Sequence, residues 1–180
     1  MLIAQVTDTH IKAAGRLAYR KVDSADKLAN CVAHLNALDP RPDIVLLTGD
    51  LVDLGRAEEY ALLREIMAPL GMPLYVIPGN HDERGALRRA FADHAYLPQT
   101  GEFLHYVLED FPLRLIGLDT VVPGEARGEL CARRLAWLDA QLGRAPERPT
   151  VLFMHHPPFL TGLANMDWQN CHNGDALGAL

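Results

Sequence analysis

Apolar residues gather in short runs that alternate with longer stretches of helical spacing. Leu2 to Val6, Ile44 to Leu47, Leu74 to Ile77 and Val151 to Met154 are nearly continuous apolar runs, the pattern of strands covered on both faces. Phe103 to Leu108 and Leu113 to Leu118 predict a strand pair joined by Asp110, Phe111 and Pro112. Leu28, Val32, Leu35 and Leu38 fall on one helical face, and Ser24, Ala25 and Asp26 offer a cap for a helix running to about Leu38. Asp39, Pro40, Arg41 and Pro42 stop it, because proline donates no amide and blocks continuation. A second helix is predicted from Ala57 to about Leu70, ending at Gly71, and another from about Leu130 to Leu142. This β-α-β-α-β order predicts an α/β architecture with a largely parallel first sheet.

The polar residues that follow these runs are not ordinary loop residues. The first strand closes in Asp8-Thr9-His10, the second in Gly49-Asp50, the third in Gly79-Asn80-His81-Asp82, and the Val151 strand in His155-His156. Ligands of open α/β sheets gather outside the carboxyl ends of the strands, so these side chains are expected on one rim. Each motif alone reads as turn chemistry or a hydrogen-bonded histidine. Their repetition at successive strand ends points to a site. Asp8, His10, Asp50, Asn80 and His155 mix oxygen and imidazole donors with no thiolate, a set suited to Zn²⁺, Mn²⁺, Fe or Co²⁺ rather than to calcium. Asp50, alone at its strand end, is the natural carboxylate to bridge two ions roughly 3.5–4 Å apart.

Composition narrows the partners. The 180 residues suit one domain, and with 49% apolar and 22% charged residues the chain reads as a soluble globular protein. A net charge of −6 counts against binding a nucleic acid duplex, while a bound metal could still reverse the local field for a small phosphorylated substrate. The three cysteines, Cys31, Cys131 and Cys171, form no C-x-x-C pair, which argues for a reducing compartment. No basic leader precedes the first apolar run, and no run approaches the roughly 20 residues of a membrane span. A cytoplasmic protein without a membrane partner is expected, and a homo-oligomer is left open.

The order D-x-H, G-D, G-N-H-D and H-H-P-P resembles the calcineurin-like metallophosphoesterases. S/T-D-T-H, G-D-L-V-D-x-G-x-x-x-E-Y, V-I-P-G-N-H-D and M-H-H-P-P are most similar to the bacterial branch of glycerophosphodiesterases and class III cyclic-nucleotide phosphodiesterases. The resemblance runs from Leu2 to at least Asn173. It implies a four-layer α/β/β/α sandwich with a binuclear metal centre. It also implies hydrolysis of small phosphodiesters, 3',5'-cyclic nucleotides or glycerophosphodiesters, by attack of a metal-bound hydroxide. By position, Asp8 and His10 would bind the first metal, Asp50 would bridge, and Asn80 and His155 would bind the second. His81 would stabilise charge at the phosphate or protonate the leaving alkoxide. Around them, Asp53 would orient a ligand, Asp82 would hold His81, and His156 would support the ligands from behind; ordinary loop or cap hydrogen bonds compete with each of these three roles.

One departure stands out. The family pattern closes with G-H-x-H, one histidine for each metal, and that motif is absent from this sequence. The expectation is that residues 1–180 are the N-terminal part of a longer catalytic domain. His172, in C-H-N-G, lacks the spacing to substitute. Two rival readings remain: a phosphomonoesterase or nuclease of the same fold, and a non-catalytic metal-binding module. No G-x-S-x-G, P-loop, G-x-G-x-x-G or H-E-x-x-H is found. His34, His94 and His105 read as structural or exposed and Trp137 as core. Trp168 reads either as a substrate-facing aromatic after the last strand or as an interface residue.

Overall fold

The computed structural model describes residues 1–18 and 20–180. Three parallel strands, β1 (Ile3–Val6), β2 (Ile44–Thr48) and β3 (Leu74–Ile77), form the first sheet in chain order. Helix α1 (Ser24–Ala37) connects the first pair and α2 (Ala57–Met67) the second. The central strand β2 is buried along its length, as its unbroken apolar run requires. Helix α1 is capped by Asp23 rather than by the Ser24–Asp26 segment: the Asp23 carboxylate accepts the Asp26 amide at 3.0 Å. Helix α2 stops three residues before the expected Leu70, and Met67 to Leu70 close in a turn.

A short helix, α3 (Arg84–Ala90), follows β3 and packs on α2 through Ala86 and Leu87. The second sheet comprises β4 (Tyr106–Leu108), β5 (Arg114–Leu118) and β7 (Thr150–Met154), in the order β4-β5-β7. A parallel pair of two-residue strands, β6 (Gly128–Glu129) and β8 (Cys171–His172), lies beside it. Between β6 and β7 runs α4 (Ala132–Gly143).

The alternation of side chains along β5 builds the layers. Leu115 joins the core shared with the first sheet, and Gly117 lies against Ile77 of β3. Ile116 and Leu118 point the other way, into a second core with Leu130 and with Leu138 of α4. In β7, Phe153 faces the first core while Leu152 and Met154 face the second. The Tyr106 hydroxyl crosses between the sheets to the Val76 carbonyl at 2.8 Å. Helices α1 and α2, the two sheets and α4 therefore stack as α/β/β/α, the expected sandwich.

Two details depart from the sequence reading. Strand β4 begins at Tyr106; just before it the Leu104 amide goes to the Asp119 carboxylate, and the His105 ring accepts the Asp119 amide. Strand β7 runs parallel to β5 in the second sheet, not beside β1–β3. The rim of the first sheet is thus completed from across the sandwich. Among the described residues no helix is long and apolar enough to cross a membrane.

Candidate metal centre

The loops leaving β1 and β2 are laced together. The Asp8 amide donates to the Gly49 carbonyl (3.1 Å), His10 to Asp50 (2.9 Å), Ile11 to Leu51 (3.2 Å), and Asp53 back to Ile11 (3.0 Å). Asp8, His10 and Asp50 have φ of 55°, 40° and 48°. Non-glycine residues rarely adopt this left-handed region, and such strain collects where function requires a particular side-chain direction. Here it accompanies the approach of the three side chains to one another.

Gly79 and Gly49 let the other strand ends close in. A Cβ on Gly79 would sit 2.3 Å from the Asp50 amide nitrogen, and one on Gly49, at φ +90°, would sit 2.5 Å from the His155 ring. His155 is held over the first sheet by its Nδ1, 2.9 Å from the Thr48 carbonyl. That carbonyl can only accept, so Nδ1 carries a proton, and in the neutral ring Nε2 presents its lone pair.

The result is one cluster. Asp8, Asp50 and His155 each place a donor atom within 4.8 Å of the others. His155 Nε2 is 3.5 Å from Asp50 Oδ1, and His10 Nε2 is 3.6 Å from Asp50 Oδ2 and 3.9 Å from Asp8 Oδ1. Asn80 lines the same cavity, about 280 Å³, together with Asp8, Asp50, His155 and His156. Asp50 is 4% exposed. Burial opposes its charge, yet the neighbouring His155 and the His81 amide, which donates to Oδ1 at 2.9 Å, hold its carboxyl below the usual range. Burial likewise opposes a charged His155, but Asp50 outweighs it and raises the imidazole.

A second group, His10, Asp53 and His81, also brings donors within 4.8 Å of one another. There a cation is built in: the Lys12 ammonium pairs with Asp53 Oδ2. Among the described residues no lysine or arginine pairs with Asp8 or Asp50. The chemistry of the donors separates the groups. Two carboxylates without a lysine or arginine partner, flanked by an imidazole whose Nδ1 is fixed by the Thr48 carbonyl, could hold a divalent ion; the Lys12 group has its charge balanced already.

The residues expected around the ligands are placed less as the sequence suggests. Asp82 does not hold His81, and this expectation is corrected. Its Oδ2 accepts the amides of Leu51 (3.1 Å) and Gly79 (2.8 Å), and its Oδ1 accepts the Tyr60 hydroxyl (2.8 Å). Burial pushes Asp82 up to about 6, against the pull of those donors. The His81 ring is held instead by the Asp53 carbonyl, 2.8 Å from Nδ1, and stands edge-on to His10 with ring centroids 4.7 Å apart. The Asp53 carboxylate lies between Lys12 and His10 Nδ1, the latter at 3.8 Å. His156 packs edge-on to His155 and bonds Thr120 Oγ1 at 2.7 Å, and burial depresses it to about 4.

Sequence reasoning passed over Lys12 and Tyr60. The signal for Lys12 was its place two residues after His10; the signal for Tyr60 was its place in the Glu59-Tyr60 pair. Trp168 is exposed, its indole donating to the Asn165 carbonyl at 3.0 Å, and it is Leu163 and Met166 of the same loop that line the cavity. Trp137 stacks on His105 at 4.8 Å, a packing role.

The chain is 47% identical over 174 residues to a probable glycerophosphodiester phosphodiesterase of Arcobacter nitrofigilis, covering 97% of this chain and 63% of that protein. It is 37% identical over 161 residues to a cAMP/cGMP dual specificity phosphodiesterase of Mycobacterium tuberculosis, covering 87% of this chain and 50% of that protein. The chain thus spans between half and two thirds of the length of these curated relatives. In fold it is similar to a purple acid phosphatase from yellow lupin, Lupinus luteus, with a TM-score of 0.60 at 15% identity over 91% of this chain and 31% of the other. The model of the calcineurin-like phosphoesterases matches residues 1–177. The chain therefore belongs to the calcineurin-like phosphoesterase family, whose chemistry implies divalent metal ions.

Proposed function

We propose that this chain carries the binuclear metal centre of a phosphodiesterase, with Asp8, His10, Asp50, Asn80 and His155 holding two divalent ions and Asp50 shared between them. The observation that carries the reading is the convergence of Asp8, Asp50 and His155 from three separate strand ends onto donors within 4.8 Å, with no lysine or arginine among the described residues paired to either carboxylate. When bound, such ions supply a nucleophilic water at neutral pH and neutralise charge developing on the phosphate. Zn²⁺, Mn²⁺, Fe and Co²⁺ all suit this donor set.

The protein's own groups do the rest. Asp50 is pre-charged by its neighbours, so it needs no proton release to meet a cation. The Asp53 carbonyl fixes the His81 tautomer with the proton on Nδ1, and leaves Nε2 of this exposed ring to take up a solvent proton and pass it to a departing alkoxide. The alcohol portion of the substrate would lie along Pro157, Leu163 and Met166, which line the cavity beside the acidic cluster. The relatives' names supply the substrate classes, glycerophosphodiesters and 3',5'-cyclic nucleotides.

The experiment is hydrolysis of two diesters in Mn²⁺ or Co²⁺, one with an aryl leaving group and one glycerophosphodiester. An aryl oxide leaves without a proton and an alkoxide does not. His81→Ala is therefore expected to lose about 10²-fold or more on the glycerol ester and far less on the aryl ester. Equal losses on both would remove His81 from proton transfer. Wild-type inactivity on both esters with each metal would remove the diesterase reading itself.

A further inference from the structure

Asp50 and Asn80 belong to different loops, after β2 and after β3, and a shared metal pair needs a fixed distance between them. The backbone bonds that lace the first loop to the loop after β1 do not reach the third. Two side chains do: Asp50 Oδ1 accepts the His81 amide at 2.9 Å, and Asp82 bonds both loops. Asp82 Oδ2 accepts the amide of Leu51, the residue after Asp50, and the amide of Gly79, the residue before Asn80, at 3.1 and 2.8 Å. This one Asp82 oxygen thus joins the two loops alongside the direct bond between Asp50 and the His81 amide.

What keeps that oxygen in place is Tyr60. Its side chain is fully buried on α2, and its hydroxyl donates to Asp82 Oδ1 at 2.8 Å while accepting the Glu83 amide at 3.2 Å. Among the described residues no lysine or arginine pairs with Asp82, so the hydroxyl is the donor that occupies the second carboxylate oxygen. With it in place the carboxylate cannot turn about its Cβ–Cγ bond without losing a buried hydrogen bond. Helix α2 is itself anchored nearby: the buried Glu59 carboxylate accepts the amides of Leu54 and Arg56 at 2.9 and 3.1 Å.

We propose that Tyr60 is a positioning residue for the metal-holding loops, acting through Asp82 to set the separation of Asp50 from Asn80. The inference rests on the reading of Asp50 and Asn80 as metal ligands, and it makes the glutamate-tyrosine pair of α2 part of the site's support. Tyr60 touches neither metal nor substrate in this account. Its effect belongs to ligand spacing.

The test compares Tyr60→Phe with Val32→Ala, a core change on α1 away from Asp82, by Mn²⁺ titration and by amide hydrogen exchange. Tyr60→Phe is expected to keep the wild-type circular dichroism, to bind Mn²⁺ about 10- to 100-fold more weakly, and to expose the Leu51 and Gly79 amides to exchange ahead of the rest of their strands. Val32→Ala is expected to lose stability while its Mn²⁺ affinity stays within about twofold of wild type, as additivity for distant sites requires. Tyr60→Phe with wild-type Mn²⁺ affinity and fully protected Leu51 and Gly79 amides would overturn the proposal, as would equal losses of affinity in both variants. Wild-type protein that binds no Mn²⁺ would instead overturn the metal reading, and the two amides would then decide whether the brace exists.

Discussion

At the scale of single residues, burial sets charge in two opposite ways. Asp50 stays charged because His155 and the His81 amide outweigh the loss of solvent. His105 has no such support. It is buried beside Asp119, with Arg134 and Arg84 near, and burial depresses it to about 4 from the usual 6.5. The unfolded chain therefore takes up this proton first as the solution is acidified. The contribution of neutral His105 to stability is complete above about pH 6.5 and drains away towards about pH 4, at up to about 1.4 kcal/mol per pH unit. His105→Asn keeps an acceptor for the Asp119 amide, which His105 Nδ1 accepts at 3.0 Å, but cannot titrate. Its urea-unfolding free energy is expected to fall less than that of wild type between pH 6.5 and 4. Parallel curves for the two proteins would contradict the assignment.

At the scale of elements, the strands and the polar residues that cluster at their ends were legible together because they share one signal: each candidate ligand closes an apolar run. What was not legible was which sheet each strand joins, since periodicity is local and pairing is not. Strand β7 reads like β1 or β3, and only the structure puts it beside β5. Helix α3 was hidden because, of its seven residues, Ala86 and Leu87 alone are buried. Asp82 was misread because adjacency in sequence is not contact: it turns inward to Tyr60 while His81 lies exposed. Tyr60 itself looks like any core aromatic until its hydroxyl partner is known. Helix α4 offers an element-scale test. Its Gln141 carbonyl, and the Ala145 carbonyl just past its end, accept from the fully buried Arg114 at 2.7 and 3.3 Å. Arg114→Leu removes these charge-assisted bonds and is expected to cost about 1.5–3 kcal/mol. The urea midpoint should fall with an unchanged m-value, and an unaltered midpoint would deny Arg114 this capping role.

At the scale of the whole molecule, the site is where both sheets meet. β1, β2 and β3 of the first sheet bring Asp8, His10, Asp50 and Asn80, and β7 of the second brings His155 across the sandwich. A bound ion would then link the halves, and ligand binding to the folded state alone raises stability by mass action. At a free Mn²⁺ concentration 100 times its dissociation constant the gain is about 2.7 kcal/mol, a rise in Tm of roughly 5–10 °C for a domain of this size. Asp50→Asn should abolish that rise. An equal rise in the variant would show that Mn²⁺ binds elsewhere.

The most direct measurement is anomalous diffraction from crystals of this chain soaked in Mn²⁺. The account predicts anomalous peaks within bonding reach of Asp50, one shared with Asp8 and His10 and one with Asn80 and His155. Manganese found only against His10, Asp53 and His81, or no peak touching Asp50, would contradict it.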